Sequence, residues 1–155
     1  MFEQDFIDFI ELLNIHEVEY MIIGAHALSY HGRPRHTGDL DIWINPTEEN
    51  ADKLLKVLHD FGFGSLGLGQ ADFLKDNFIT QLGYPPLRID LLNSISGVEF
   101  NRAYKRKISV QMENIIVPFI SIQDFILNKQ ATGRPKDIAD IDSLNSLPPE
   151  SSNEQ

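Results

Sequence analysis

Phe2, Phe6, Phe9, Ile10 and Leu13 recur at three- and four-residue intervals, so the chain opens with an amphipathic helix ending near Asn14. Residues 18–23 form a short apolar run that stops at Gly24, and 25–31 read as a short helix, giving a strand-turn-helix unit. The loop Gly32-Arg33-Pro34-Arg35-His36 then delivers the chain into Asp39-Leu40-Asp41-Ile42-Trp43-Ile44. Successive strand side chains point to opposite faces, so Leu40, Ile42 and Ile44 take the core face and Asp39 and Asp41 project together from the other. Asn45-Pro46 closes the strand, and Thr47 caps a helix over 48–61 with Ala51, Leu54, Leu55 and Leu58 inward.

Glycines at 62, 64, 67 and 69 predict a mobile connection or lid, because they match no phosphate-loop spacing. Apolar runs at 78–82 and 87–92 flank Gly83-Tyr84-Pro85-Pro86, which reads as a hairpin whose second strand carries Asp90. A brief helix over 100–104 precedes a second hairpin, 108–112 and 115–120, turning at Glu113-Asn114. Ser121 caps a helix to about Gln130, and Pro135 starts a last helix containing Ile138, Ile141 and Leu144. The Pro/Ser/Glu-rich tail, 148–155, is expected to be disordered. These elements predict an α+β fold, a mixed β-sheet with hairpins flanked by helices, in a single domain over 1–147.

The length of 155 residues fits one domain with a real core. A formal charge of −10 opposes binding of extended nucleic acid, which normally needs a basic face. The cations are nevertheless grouped: Arg33 and Arg35; Lys105, Arg106 and Lys107; Lys129, Arg134 and Lys136. Such groups suit a compact polyanion such as a nucleoside triphosphate. The absence of cysteine excludes disulfides and thiolate metal sites. With no apolar run of membrane-spanning length and no signal-peptide pattern in Met1-Phe2-Glu3-Gln4-Asp5, a cytoplasmic protein without membrane contact is expected.

Aspartate is depleted in strands, and like charges held close repel. Asp39, Asp41 and Asp90 therefore either solvate an exposed sheet face or hold a divalent cation, for which Mg²⁺ with its preference for hard oxygen ligands is the natural choice. Gly24-Ala25 sits at a strand end leading into a helix, where backbone N–H groups are open to a phosphate. His26, His31 and His36 match no zinc-ligand spacing. Trp43 shares the face of Asp39 and Asp41, so it either borders a base or packs beneath a neighbouring element.

Gly24-Ala25, Asp39-Leu40-Asp41 and the later lone Asp90 together resemble the nucleotidyltransferase superfamily of DNA polymerase beta-like fold, whose pattern is Gly-[Gly/Ser], Asp-x-[Asp/Glu] and a further Asp. The likeness extends from about Tyr20 to Leu144. Arg35-x-Thr37-x-Asp39-x-Asp41 and Lys129…Gly133-Arg134-Pro135-Lys136-Asp137…Asp140 resemble small bacterial members, including nucleotidyltransferase toxins of toxin-antitoxin pairs. The resemblance implies transfer of a nucleotidyl group from a nucleoside triphosphate to an acceptor hydroxyl with release of pyrophosphate. It implies Asp39, Asp41 and Asp90 as catalytic metal ligands for two Mg²⁺ ions, and Gly24, Ala25, Arg35, Thr37, Lys129, Arg134 and Lys136 as nucleotide-binding positions. Asp137 and Asp140 are expected to pair with the neighbouring cations. Ala25 departs from the family's usual Gly or Ser, which leaves open a non-catalytic nucleotide-binding or protein-interaction domain of the same fold. The acceptor class, whether small molecule, tRNA end or protein, is not specified, and a partner protein or homodimer is compatible with exposed hairpins.

Overall fold

The computed structural model describes residues 2–32, 38–84 and 86–145. Arg35, Thr37 and the tail therefore lie outside the described residues. In chain order the elements are α1 (Gln4–Ile15), β1 (Tyr20–Ile23), α2 (Gly24–Tyr30), β2 (Asp39–Ile44), α3 (Glu48–Asp60), β3 (Ile79–Tyr84), β4 (Leu87–Leu92), α4 (Phe100–Lys105), β5 (Ile108–Met112), β6 (Ile115–Phe119), α5 (Ile122–Thr132) and α6 (Pro135–Asn145). Local signals set several of these bounds. Thr47 and Ser121 each accept a backbone N–H three residues on, from Asn50 and Asp124, which satisfies an otherwise orphaned donor at the starts of α3 and α5. Gly133, with φ 63, ends α5 in the left-handed conformation that glycine adopts without steric cost.

Among the described residues the strands form one six-stranded mixed sheet in the order β3-β4-β2-β1-β6-β5. β1 runs antiparallel to β2, β2 parallel to β4, and β1 parallel to β6, while β3–β4 and β5–β6 are antiparallel hairpins. Both predicted hairpins thus form the two edges of the sheet. The core gathers Phe6, Phe9, Ile10 and Leu13 of α1, Leu40, Ile42 and Ile44 of β2, and Ala51, Leu54 and Leu58 of α3, all fully buried. Burying an apolar side chain of this size is worth about 1.5–3 kcal/mol, so the period-two and period-3.6 patterns decide which faces turn inward.

One expectation needs refinement and one open alternative is decided. The glycine-rich stretch is not simply a mobile connection: it carries 3₁₀ turns at Gly64–Leu66 and Gln70–Leu74, and both pack against α3. Phe73 is fully buried and meets Phe78 edge-on, and Gly69 N–H donates to Asp72 Oδ2 at 2.8 Å. The glycine spacing concealed this anchor. Trp43 takes the second of its two options, because Phe100 of α4 meets its ring edge-on at 5.1 Å and leaves it 1% exposed. The face shared by Asp39, Asp41 and Trp43 is thus open at the aspartates and closed at the tryptophan.

Candidate active site

The parallel register of β2 and β4 sets Asp41 opposite Asp90 and Asp39 opposite Arg88. Antiparallel pairing sets Ile23, the last residue of β1, against Asp41, so the β1–α2 turn lies directly beside that carboxylate. Gly24 turns the chain there with φ 71, and a Cβ on it would overlap Asp41 Oδ2. Glycine is required at this position twice over, for the left-handed backbone and for the close approach. No side chain caps the start of α2 at Gly24-Ala25.

Asp41 and Asp90 hydrogen-bond one another, and burial, followed by the neighbouring charges of Asp90 and Asp39, pushes the Asp41 carboxyl up to about 6. Lys129 pulls the other way. The sequence pattern gave Arg88 no role, yet it answers much of this negative charge. Its Nε donates to Asp90 Oδ1 at 2.9 Å, and its Nη2 reaches Asp90 Oδ2 at 3.2 Å and Asp39 Oδ2 at 3.0 Å. This two-pronged contact with Asp90 raises the guanidinium above its ordinary value. Alternation along β4 was a sufficient signal, since residues 88 and 90 share a face.

A cavity of about 380 Å³ opens over this end of the sheet. It is lined by Gly24 and Asp41, by Lys129, Thr132 and the cationic Arg134, and by Asn77, Ile79, Ser94 and Ser96. Asn77 and the serines were not anticipated, because they come from the loops that bracket β3 and β4. Ser94 Oγ lies 2.8 Å from Asn77 Oδ1, and Asn128 of α5 donates to the Ser96 carbonyl at 3.0 Å.

The cations of this lining are braced by acids. Asp137 is fully buried, accepts from Arg134 Nε at 2.7 Å and Thr132 Oγ1 at 2.7 Å, and lies 3.3 Å from Lys129 Nζ. Arg134, followed by Thr132 and Lys129, holds the Asp137 carboxyl well below the usual range. Asp140 stands 3.7 Å from Lys129. The expected pairing of these acids with the cations is thus present, while Arg134 keeps 65% of its side chain exposed at the cavity. Lys136 is exposed and lies outside the cavity lining, contrary to its expected place at the nucleotide.

Two other cations of the described residues stand elsewhere. Arg106 is tied to buried Asp124 at 2.8 Å, and Lys107 lies 4.0 Å over the Tyr104 ring. His26 packs against Phe2 and Phe6, and His31 bonds the Ile120 carbonyl, so neither approaches a zinc arrangement.

Among the described residues no three His, Cys, Asp or Glu side chains are gathered into a ready-made metal nest, and Arg88 contacts oxygens of Asp39 and Asp90. The donor set nevertheless fits a hard divalent cation. Three carboxylates come from two adjacent strands, and burial, followed by the charges of Asp90 and Asp39, holds the one facing the cavity, Asp41, above its ordinary value, a load that a bound cation would relieve.

Comparison with solved structures finds nucleotidyltransferase-type folds, two of which illustrate the likeness. The lincosamide antibiotic adenylyltransferase LnuA, in its lincomycin-bound form, superposes with a TM-score of 0.59 at 16% identity, covering 96% of this chain and 99% of that one. A Thermotoga maritima protein described as a nucleotidyltransferase, TM1012, superposes with a TM-score of 0.57 at 15% identity, covering 100% and 97%. No curated protein matches the sequence at a significant level. At these identities the likeness shows the fold. Among the described residues no helix is long and apolar enough to cross a membrane. Residues 5–147 match the profile of a family described as "Nucleotidyltransferase of unknown function" (DUF6036), and the chain belongs to that nucleotidyltransferase family.

Proposed function

We propose that this protein transfers a nucleotidyl group from a nucleoside triphosphate to an acceptor hydroxyl, releasing pyrophosphate, at the cavity lined by Asp41 of β2, by Lys129 and Thr132 of α5 and by Arg134. The carrying observation is the juxtaposition of Asp41 with Asp90 on adjacent parallel strands, beside a Cβ-free Gly24 and beneath Lys129 and Arg134. Asp39, Asp41 and Asp90 would hold Mg²⁺, which when bound neutralises charge on the transferring phosphoryl group. Gly24 leaves room for a phosphate to approach the main chain beside Asp41. Arg134 and Lys129 offer cationic hydrogen bonds to the triphosphate, and Asp137 fixes the direction of both, so their charge is already in place when substrate arrives. Arg35 and Thr37 are proposed to contribute from the segment leading into β2.

The acceptor is proposed to be a small hydroxylated molecule. The cavity is compact, and the fold neighbour LnuA is a lincosamide adenylyltransferase that covers nearly the same length of chain. The test is incubation with each labelled nucleoside triphosphate, Mg²⁺ and a panel of hydroxylated acceptors. Label transfer that is lost in Asp39→Ala and Asp41→Asn is expected, and transfer retained in both variants refutes the assignment. A second reading, nucleotide binding without transfer, draws on the Arg88 contacts with two of the three carboxylates and on Ala25. Under that reading the labelled nucleotide binds and no product forms with any acceptor.

A further inference from the structure

Strand β5 ends the sheet, with β6 as its one strand neighbour among the described residues. Its outer edge therefore offers backbone donors and acceptors to another chain. Exposed edges are ordinarily guarded by charge, proline, a bulge or a covering element. β5 reads Ile-Ser-Val-Gln-Met, without charge or proline, and pairs residue for residue with β6 without a bulge. The opposite edge, β3, is interrupted by a left-handed Gly83 with φ 84.

We propose that β5 pairs antiparallel with β5 of a second copy of this chain, about a two-fold axis at Val110, making one continuous sheet across a homodimer. The charges at the two ends of the strand point to this partner and this direction. Lys107 immediately precedes β5 and Glu113 immediately follows it. In the antiparallel arrangement Lys107 of each copy meets Glu113 of the other at both ends, whereas parallel pairing would set lysine on lysine and glutamate on glutamate. An axis perpendicular to the sheet keeps the same face inward in both copies, so residues opposite one another must belong to the same face. Centring on Val110 is the register of that kind that uses the whole strand, with Ile108 opposite Met112 and Ser109 opposite Gln111. It also sets Ile108, which is 38% exposed, against Met112 of the other copy on the same face. The proposal does not depend on catalysis, because β5 is separated from the carboxylate strands β2 and β4 by β6 and β1.

Sedimentation equilibrium over a concentration series, with circular dichroism confirming the fold, tests the arrangement. The wild-type chain is expected to dimerise. Lys107→Glu and Glu113→Lys, each placing like charges opposite one another at both ends, are each expected to weaken the dimer by about tenfold or more. Mixing the two variants restores opposite charges at both ends and is expected to recover the dimer as a heterodimer, which a merely misfolded variant would not do. A wild-type monomer at every concentration, a dimer indifferent to both substitutions, or a mixture that associates no better than either variant alone overturns the proposal.

Discussion

Replacing Asp41 by asparagine should stabilise the protein above pH 6 while abolishing nucleotide transfer. Burial and the neighbouring Asp90 and Asp39 raise the folded-state carboxyl from 3.8 to about 6. The folded state therefore holds this proton more tightly than the unfolded chain. The resulting stability is fully present below about pH 4 and is lost as pH rises through 6. A shift of that size corresponds to about 3 kcal/mol forfeited by the wild type at neutral pH. Asparagine matches the shape, can still hydrogen-bond Asp90 and never ionises, so it escapes the loss. Denaturant unfolding at pH 4 to 8 should give a gap near zero at the acid end, opening to about 3 kcal/mol by pH 7–8. For a chain of this size that is about 6–12 °C in Tm. Mg²⁺ should close the gap by stabilising the wild type alone, because only the wild type keeps the full carboxylate set. A variant no more stable than wild type at pH 8, or a gap that does not change with pH, refutes the reasoning.

Gly24→Ala forces a Cβ into Asp41 and strains a left-handed backbone, so a loss of about 1–3 kcal/mol in chemical denaturation is expected together with loss of transfer. Arg88→Ala removes the cation facing Asp90 and Asp39, and NMR titration of the side-chain carboxyls should show Asp41 moving still higher. Asp137→Ala releases Lys129 and Arg134 from their buried partner, and hydrogen exchange in α6 should quicken while KM for the triphosphate rises severalfold. Because the Asp137 carboxyl is held below its ordinary value, its stabilising contribution is complete above about pH 4 and lost below it. Thermal melts of this variant and the wild type should accordingly converge in acid.

Much of the architecture could be read along the chain. The helices α1, α3 and α5 and all six strands stand within two residues of their sequence-derived bounds, because each pattern repeats within a window as short as the element itself. The glycine-rich stretch was misread for the converse reason: what holds it is Phe73 beneath Phe78, a contact that glycine spacing does not encode. Alternation likewise placed Trp43 beside the aspartates, and only Phe100, far along the chain, closed that end of the face.

The sequence by itself determined which chemistry-bearing side chains exist and which share a strand face, since both follow from residue identity and the two-residue strand period. Asp39, Asp41 and Gly24 were visible in that way. Only the tertiary structure decided that β4 lies parallel to β2 in the register that sets Asp90 against Asp41 and Arg88 against Asp39. The pairing of Asp137 with the neighbouring cations was legible in the sequence, but only the structure buries that carboxylate behind Lys129 and Arg134 at the cavity and turns Lys136 to solvent. Charge interactions depend on distance through space, and for residues about fifty positions apart that distance is set by strand order and helix packing, which no local pattern records.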